Sequence, residues 1–439
     1  RGGFLDPVRH RGRPHPDGAL MSGWAQFRSF GWPSRLLMIN QFGINLGFYM
    51  LMPYLAGYLA GPLGLAAWAV GLVLGVRNFS QQGMFIVGGT LADRLGYIPL
   101  IVAGCLLRTA GFGLLVVAQS LPAVLIASAA TGFAGALFNP AVRAYLAADA
   151  GERRVEAFAL FNVFYQAGIL AGPLVGLAFM AVDFRATAAG AAVVFALLSI
   201  AQLFALPQHD PGPTEEKNSI WQDWRTVLAN RSFLLFAVAM IGSYVLSFQV
   251  YLALPLHAAH LAPHHESALI AAMFVVSGVV AVAAQLRITR WFSTRWSTSR
   301  CLVIGMTVVA LSFTPLILLP DTKFGAPAGI AALLLSTAVL AIGSAAVFPF
   351  EMDTVVALSG GRLVGTHYGF YSTIVGIGIL AGNVATGALM HAATQHNLGA
   401  LLWAGLTGIG LLCATALHTL ARNGHLHHNQ ERRPATAVR

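Results

Sequence analysis

Charge is what this sequence has least of. Only 10% of its 439 residues are Asp, Glu, Lys or Arg, where a soluble chain carries about 25%. Lysine is reduced to Lys217 and Lys323. That scarcity excludes a water-soluble globular protein. Cysteine is nearly as rare: Cys105, Cys301 and Cys413 stand singly in or near apolar segments. Their spacing excludes a disulfide scaffold and a thiolate metal site, and they read as small packing residues. Residues 1–20 are polar and rich in Pro, Gly and Arg. They lack the apolar core of a cleavable signal, so Met21 is the expected start and the preceding segment is expected to be disordered. Short alternating strands are missing too, which excludes the spans of a membrane β-barrel.

What the chain does hold is apolar length. Hydrophobic residues make up 57%, glycine numbers 47, and the mean hydropathy is +0.70. Small residues let membrane helices approach closely. Twelve segments are long enough to cross roughly 30 Å of hydrocarbon. They run over 34–59, 66–91, 98–118, 121–147, 156–180, 185–206, 232–256, 266–289, 300–319, 327–350, 367–390 and 399–421. Counting arginine and lysine along this topology puts 21 of the 26 on one side. Only Arg185 and Lys323 lie on the other, and Arg77, Arg108 and Arg143 lie within spans. The basic side is the cytoplasmic one by the positive-inside rule, so both termini are expected there and the number of spans is even. The net charge of +10 is explained by topology, and no nucleic-acid partner is expected.

The expected organisation is an all-α integral membrane protein: a tail at 1–33, a six-helix half at 34–206, a linker at 207–231, a second six-helix half at 232–421 and a tail at 422–439. Within the linker, Ile220, Trp221, Trp224, Val227 and Leu228 form an apolar stripe at helical spacing, as in a helix lying on the membrane surface. The halves are related by a repeat. Gly168-Ile169-Leu170-Ala171-Gly172 returns unchanged as Gly378-Ile379-Leu380-Ala381-Gly382, a shift of 210 positions. The shift continues without a gap, pairing Ala136 with Ala346, Phe138 with Phe348, Gly151 with Gly361 and Met180 with Met390.

Two motifs stand out. Gly89, Asp93, Arg94 and Gly96 form G-x-x-x-D-R-x-G between spans 2 and 3, where a carboxylate and a guanidinium leave the hydrocarbon. In span 5, Gly168, Gly172 and Gly176 fall on one helix face, with Pro173 favouring a kink. Taken with the six-plus-six organisation, the first motif resembles the signature loop of the major facilitator superfamily, over about residues 34–421. The resemblance implies that Asp93 and Arg94 latch the two halves together on the cytoplasmic side. The second, G-x-x-x-G-P-x-x-G, resembles the antiporter motif of the drug:proton antiporters in that superfamily, which implies a seal between the halves. The runs Gly75 to Gly83, Leu107 to Phe112 and Leu137 to Pro140 resemble the MdtH-type multidrug-resistance exporters of bacteria. There are departures. Tyr97 and Ile98 stand where the family continues with basic residues. Span 1 reads Met38-Ile39-Asn40-Gln41, without the acid many relatives carry. In the repeat, Asn383 replaces Pro173 and Thr386 replaces Gly176.

Coupling to protons needs a titratable group that faces a cavity and can be shielded from bulk water. Glu351 and Asp353, at the cytoplasmic end of span 10, are the candidates. At the 210-residue offset Asp353 coincides with Arg143, so an Asp353–Arg143 attraction on closure is expected, which protonation would weaken. Arg77, one turn from Gln81, is a candidate for the cavity. Arg108 reads as structural, through carbonyl or loop partners. Asn40, Asn45, Tyr49, Tyr244, Phe248, Gln249 and Tyr251 complete the candidate cavity. Aromatic walls with few charges suit hydrophobic, varied ligands.

The expected function is secondary active transport by a monomer in the bacterial inner membrane: proton-coupled efflux of amphipathic drug-like compounds, with lipid as surroundings, no cofactor and no metal. Transport of a defined metabolite, such as a siderophore or sugar, is the alternative. An intramembrane enzyme is a third class. His257, His260, His264 and His265 cluster in an outer loop, but only Glu266 accompanies them. His425, His427 and His428 read as a solvated tail.

Overall fold

A computed structural model describes residues 23–60, 62–65, 67–180, 183–205, 219–395 and 399–426. Residues 1–22, 207–218 of the expected linker, and His427 and His428 of the expected tail lie outside the described residues. The described chain is helical and contains twelve crossing units. In the first half, span 1 is Trp32–Tyr49 continued by Met52–Ala60, and span 2 is Ala67–Gln82 continued by Phe85–Leu95. Spans 3 to 6 are Tyr97–Val117, Leu121–Ala150, Arg154–Met180 and Phe184–Ala205. In the second half, span 7 is Arg231–Ser247 and Ala253–Leu261, joined by the 3₁₀ turn Phe248–Tyr251. Span 8 is Glu266–Arg295, and span 9 is Thr298–Leu311 with Thr314–Leu318. Spans 10 to 12 are Ala326–Ser359, Val364–Gln395 and Gly399–Arg422. Among the described residues, eight helical stretches are long and apolar enough to cross a membrane. Between them they contain spans 3 to 10 and span 12.

The interruptions have local causes. Pro53 and Pro255 lack the N–H that would bond back to the carbonyls of Tyr49 and Tyr251. Spans 1 and 7 both break there, so Tyr-x-x-x-Pro recurs at Tyr49–Pro53 and Tyr251–Pro255. The duplication also reaches the turns. Gly151 (φ 53°) follows span 4 and Gly361 (φ 76°) follows span 10, and the left-handed backbone at both favours glycine.

Each half packs its own six spans. The halves then meet along span 2 with span 11, span 5 with spans 8 and 10, and span 4 with span 11. The far ends of spans 1 and 7, Met52–Ala60 and Ala253–Leu261, pack within their own halves. The span 2–span 11 seam is made of glycines. A Cβ on Gly89 would overlap the Gly365 carbonyl oxygen, and one on Gly369 would lie 2.5 Å from the Phe85 oxygen. Such backbone approach supplies the dispersion contacts that hold helices together in lipid.

The linker helix, Ile220–Ala229, starts at a capping box between Ser219 and Gln222. It lies across spans 2 and 11. The Trp224 indole Nε1–H donates to Thr90 Oγ1 at 2.7 Å, its ring meets Phe370 edge-on, and Val227 is fully buried. Ile220, Trp221 and Leu228 stay exposed. The apolar stripe is therefore divided between the protein interior and the exposed surface.

Candidate functional site

Beyond the apolar run of span 2, Asp93 reaches across to the other half. Its carboxylate accepts from the Gly365 N–H at 2.9 Å, the Thr366 N–H at 2.6 Å and the Thr366 hydroxyl at 2.7 Å. These groups open span 11, so Asp93 caps that helix and faces the positive end of its dipole. Leu363, at φ 49°, turns the chain just before it. Arg94 goes elsewhere: its guanidinium pairs with Asp223 of the linker helix at 2.6 Å. The acid of the motif bridges the halves, and the arginine ties down the linker helix.

Removal from water raises the Asp93 carboxyl from its ordinary 3.8 to about 6, against the pull of the Thr366 and Gly365 donors. When the halves separate, the carboxyl returns to water and to its ordinary value. The proton thus binds the joined state more tightly. Acidification favours joining as pH falls from about 6 towards 3.8, and this contribution disappears above about 6. With Glu351 replaced by Gln, so that only Asp93 of the two carboxyls titrates, accessibility of a single cysteine introduced on the arginine-rich face should therefore fall between pH 7 and pH 5. Asp93→Asn should flatten that dependence; an identical pH profile in the variant would assign it to another group.

Asp353 does not meet Arg143. Its partner is Arg154, at 2.8 Å, joining the start of span 5 to span 10. The 210-residue offset placed Arg143 and Asp353 at equivalent depths, but helix ends separate them. Span 4 carries Arg143 two turns before its end, where it donates to Ser372 Oγ at 3.4 Å. Arg154, beyond the turn, is the arginine that reaches the interface. A partly buried charge-assisted pair is worth about 1.5–3 kcal/mol, so Asp353→Arg alone should shift the joined state by about tenfold or more. The exchange Arg154→Asp with Asp353→Arg should recover most of the loss. Additive damage in the double variant, read by the same cysteine accessibility, would show the pair to be incidental.

Glu351, two residues earlier on span 10, points inward and is 3% exposed. Its Oε1 accepts from the hydroxyls of Tyr244 on span 7 and Tyr371 on span 11, both at 2.6 Å. Arg143 lies within electrostatic reach of the same carboxyl, so the acid that faces Arg143 is Glu351. Tyr165 of span 5 lies within electrostatic reach of Arg143, Arg108 and Arg77. Tyr49 and Tyr251, the two tyrosines at the span breaks, are close enough to interact.

Arg77 does neighbour Gln81: it donates to Gln81 Oε1 at 2.9 Å and to Asn78 Oδ1 at 2.7 Å, with its guanidinium 4.3 Å from the Phe48 ring centre. Arg108 is buried over the rings of Phe48 and Phe195 at 5.4 and 5.3 Å. Aromatic faces, rather than the expected carbonyls or loop partners, receive it. Asn45 donates to the Tyr165 carbonyl at 2.8 Å, which links span 1 to span 5. Asn40 is buried with both amide atoms unpartnered. Phe248 packs against Tyr251. Gln249 is fully buried, and its Nε2 donates back to the Val245 carbonyl at 2.8 Å.

The glycine face of span 5 also has a different neighbour from the one implied. A Cβ on Gly168 would lie 2.5 Å from the Phe42 oxygen, one on Gly172 would lie 2.7 Å from Tyr49 Cβ, and one on Gly176 would overlap the Met50 oxygen. All three face span 1 of the same half. The inter-half contacts of span 5 come from other positions, including Asn162, which donates to Gln285 of span 8 at 2.6 Å, and Leu170 beside Gly278. The Asn162–Gln285 pair was missed, although an amide in each of two apolar spans is a visible signal of such a bond.

On the face opposite the arginine-rich one, a cavity of about 900 Å³ lies inside the first half, lined by residues such as Tyr54, Tyr58, Gln119, Asp183 and Arg185. None of the sequence candidates lines it. In the second half, His260 pairs with Asp321 at 3.6 Å. No group of three metal-ligating side chains occurs among the described residues, and the cysteines there are free.

The comparisons agree with this geometry. The Major Facilitator Superfamily profile matches residues 37–327. An uncharacterized MFS-type transporter of Mycobacterium tuberculosis is 66% identical, the match covering 91% of this chain and 96% of that protein. Multidrug resistance protein MdtH of Cronobacter sakazakii is 29% identical over 89% of this chain and 94% of its own. Among solved structures, the human organic anion transporter MFSD10 (TETRAN) superposes with a TM-score of 0.62 at 16% identity, covering 88% of this chain and 98% of that one, a likeness of fold. The twelve-span architecture, its duplicated halves and these matches place the chain in the major facilitator superfamily, as an integral membrane transporter and not an enzyme.

Proposed function

We propose that this transporter is a proton-coupled antiporter of the bacterial inner membrane, exporting amphipathic small molecules by alternating access. The observation that carries the reading is Glu351, a carboxyl buried between spans 7, 10 and 11 beside Arg143. Buried acids inside a membrane bundle are expensive and are kept for ion or proton traffic. The likeness to the MdtH proteins over nine-tenths of the chain supports a multidrug substrate range.

In this reading the arginine-rich face is cytoplasmic. The Asp93 cap, the Arg154–Asp353 pair and the span 2–span 11 glycine seam close that face. The described conformation then opens outward. A proton arriving from outside neutralises Glu351 and removes its attraction for Arg143. The differential charge interaction shifts the two halves towards the inward-open state. Release of the proton to the cytoplasm and binding of substrate complete the cycle. Asp353 contributes to closure and Glu351 to coupling. The chain acts as a monomer with lipid around it and takes its energy from the proton gradient alone. Purified protein in liposomes, given a substrate panel and an imposed pH gradient, should drive substrate against its own gradient. Uptake that ignores the pH gradient would point to a uniporter or a differently coupled carrier.

A further inference from the structure

Two arginines of the first half have no acid. Arg77 and Arg108 sit near the middles of spans 2 and 3 and within electrostatic reach of each other. No ion pair forms with either among the described residues. Arg77 reaches two side-chain amide oxygens. Arg108 is 5% exposed and lies over aromatic faces, with no hydrogen-bond acceptor seen among the described residues. The Nε of each is buried and unpartnered. Arg143 adds a third cation within electrostatic reach of Tyr165, and it also acts on the Glu351 carboxyl. Among the described residues, three guanidinium groups therefore lie within reach of Tyr165, and Glu351 is an acid within reach of one of them. Buried charges are normally paired, and two like charges left beside each other mark a place where a counter-charge enters.

We infer that Arg77 and Arg108 form an anion site and that the transported compound is an amphipathic organic carboxylate, its acid group held between the two guanidiniums and its apolar body against Phe48, Tyr49 and Tyr165. This inference rests on the transport reading and names its substrate class. A carboxylate can take two parallel N–H bonds from each guanidinium. The Phe48 ring already lies under both cations, and Tyr49 and Tyr165 are within reach of both. Exporting an anion while a proton enters moves two charges in the same electrical sense. An inside-negative potential then speeds efflux of the anion more than efflux of a neutral analogue.

The test uses three matched fluorescent probes: 6-(dansylamino)hexanoate, its methyl ester and dansylcadaverine. They share one apolar body and carry a negative, a neutral and a positive end. The full-length protein should bind the anion about tenfold more tightly than the ester, the discrimination expected of a charge-assisted bond. Arg77→Gln and Arg108→Gln should each weaken anion binding by about tenfold while changing ester binding by less than about twofold. Arg77→Lys, which keeps the charge and loses the fork, should fall between. Ester binding and thermal unfolding verify that each variant is folded; if Arg108→Gln does not fold, Arg77→Gln and Arg77→Lys decide alone. Equal binding of anion and ester, or equal weakening of both by the variants, overturns the inference. Dansylcadaverine driven by a pH gradient in liposomes, without Arg77-dependent anion binding, overturns it while leaving antiport standing. Arg77-dependent anion binding with no probe moved by the gradient supports the site and overturns antiport instead.

Discussion

Replacing Glu351 by Gln should abolish proton-driven accumulation while leaving the transporter folded and able to bind its substrate. One proton exchanged for one neutral substrate across two pH units provides about 2.7 kcal/mol, equivalent to roughly a hundredfold accumulation. With glutamine at 351 no proton is carried there, and the ratio should fall to about one. The replacement is nearly isosteric and can still accept from Tyr244 and Tyr371, whose hydroxyls both reach Oε1. Structural loss is therefore expected to be small. Exchange of labelled for unlabelled substrate without a gradient is the control, and it should continue. Asp353→Asn should behave differently. Its partner Arg154 lies at the arginine-rich face, so the variant should turn over more slowly or favour the open state there, yet still accumulate substrate. If Asp353→Asn uncouples and Glu351→Gln does not, the assignment of the two acids is reversed.

Gly172→Leu should be far more damaging than Gly382→Leu, although both lie in the repeated Gly-Ile-Leu-Ala-Gly. At Gly172 the new Cβ would meet Tyr49 Cβ at 2.7 Å and the Tyr49 carbonyl carbon at 3.0 Å. Backbone cannot rotate away, so spans 1 and 5 would have to separate, beside the span-1 break. At Gly382 the obstacles are the methyl groups of Val245, at 2.6 Å, and a side chain can change rotamer. Overpacking typically costs about 1–3 kcal/mol. We expect Gly382→Leu within that range and Gly172→Leu above it, with transport reduced to about a tenth or less. Thermal unfolding and transport, measured together, check this. Equal damage at both sites would make the glycines generic packing positions.

The global architecture was legible because lipid leaves little choice. Backbone groups must be satisfied within helices, so continuous apolar runs had to be spans, and the arginine count fixed their pairing with one face. The repeat at 210 positions located corresponding turns such as Gly151 and Gly361. It misled at finer scale. Arg143 and Asp353 are equivalent in register, yet which arginine meets an acid depends on where each helix ends, and Arg154 lies just past such an end. Spans 1 and 7 follow a different offset, visible only through Tyr49–Pro53 and Tyr251–Pro255. Asp93 was found as a residue, but the glycines that let span 11 come to it, Gly365 and Gly369, were readable as a G-x-x-x-G step. The span-5 motif was also found, and its neighbour was not: spacing gives a smooth face but not which helix presses on it. The Tyr244–Glu351–Tyr371 cluster joins three spans far apart in the chain, which no local pattern announces.

Proton movement during transport tests the account most directly. Protein in liposomes containing a pH-sensitive dye should move protons opposite to substrate when substrate is added without an imposed gradient. The ratio should be fixed, and the signal should vanish in Glu351→Gln while substrate binding persists. Substrate crossing at full rate with no change in lumenal pH, or a proton signal undiminished in that variant, would contradict it.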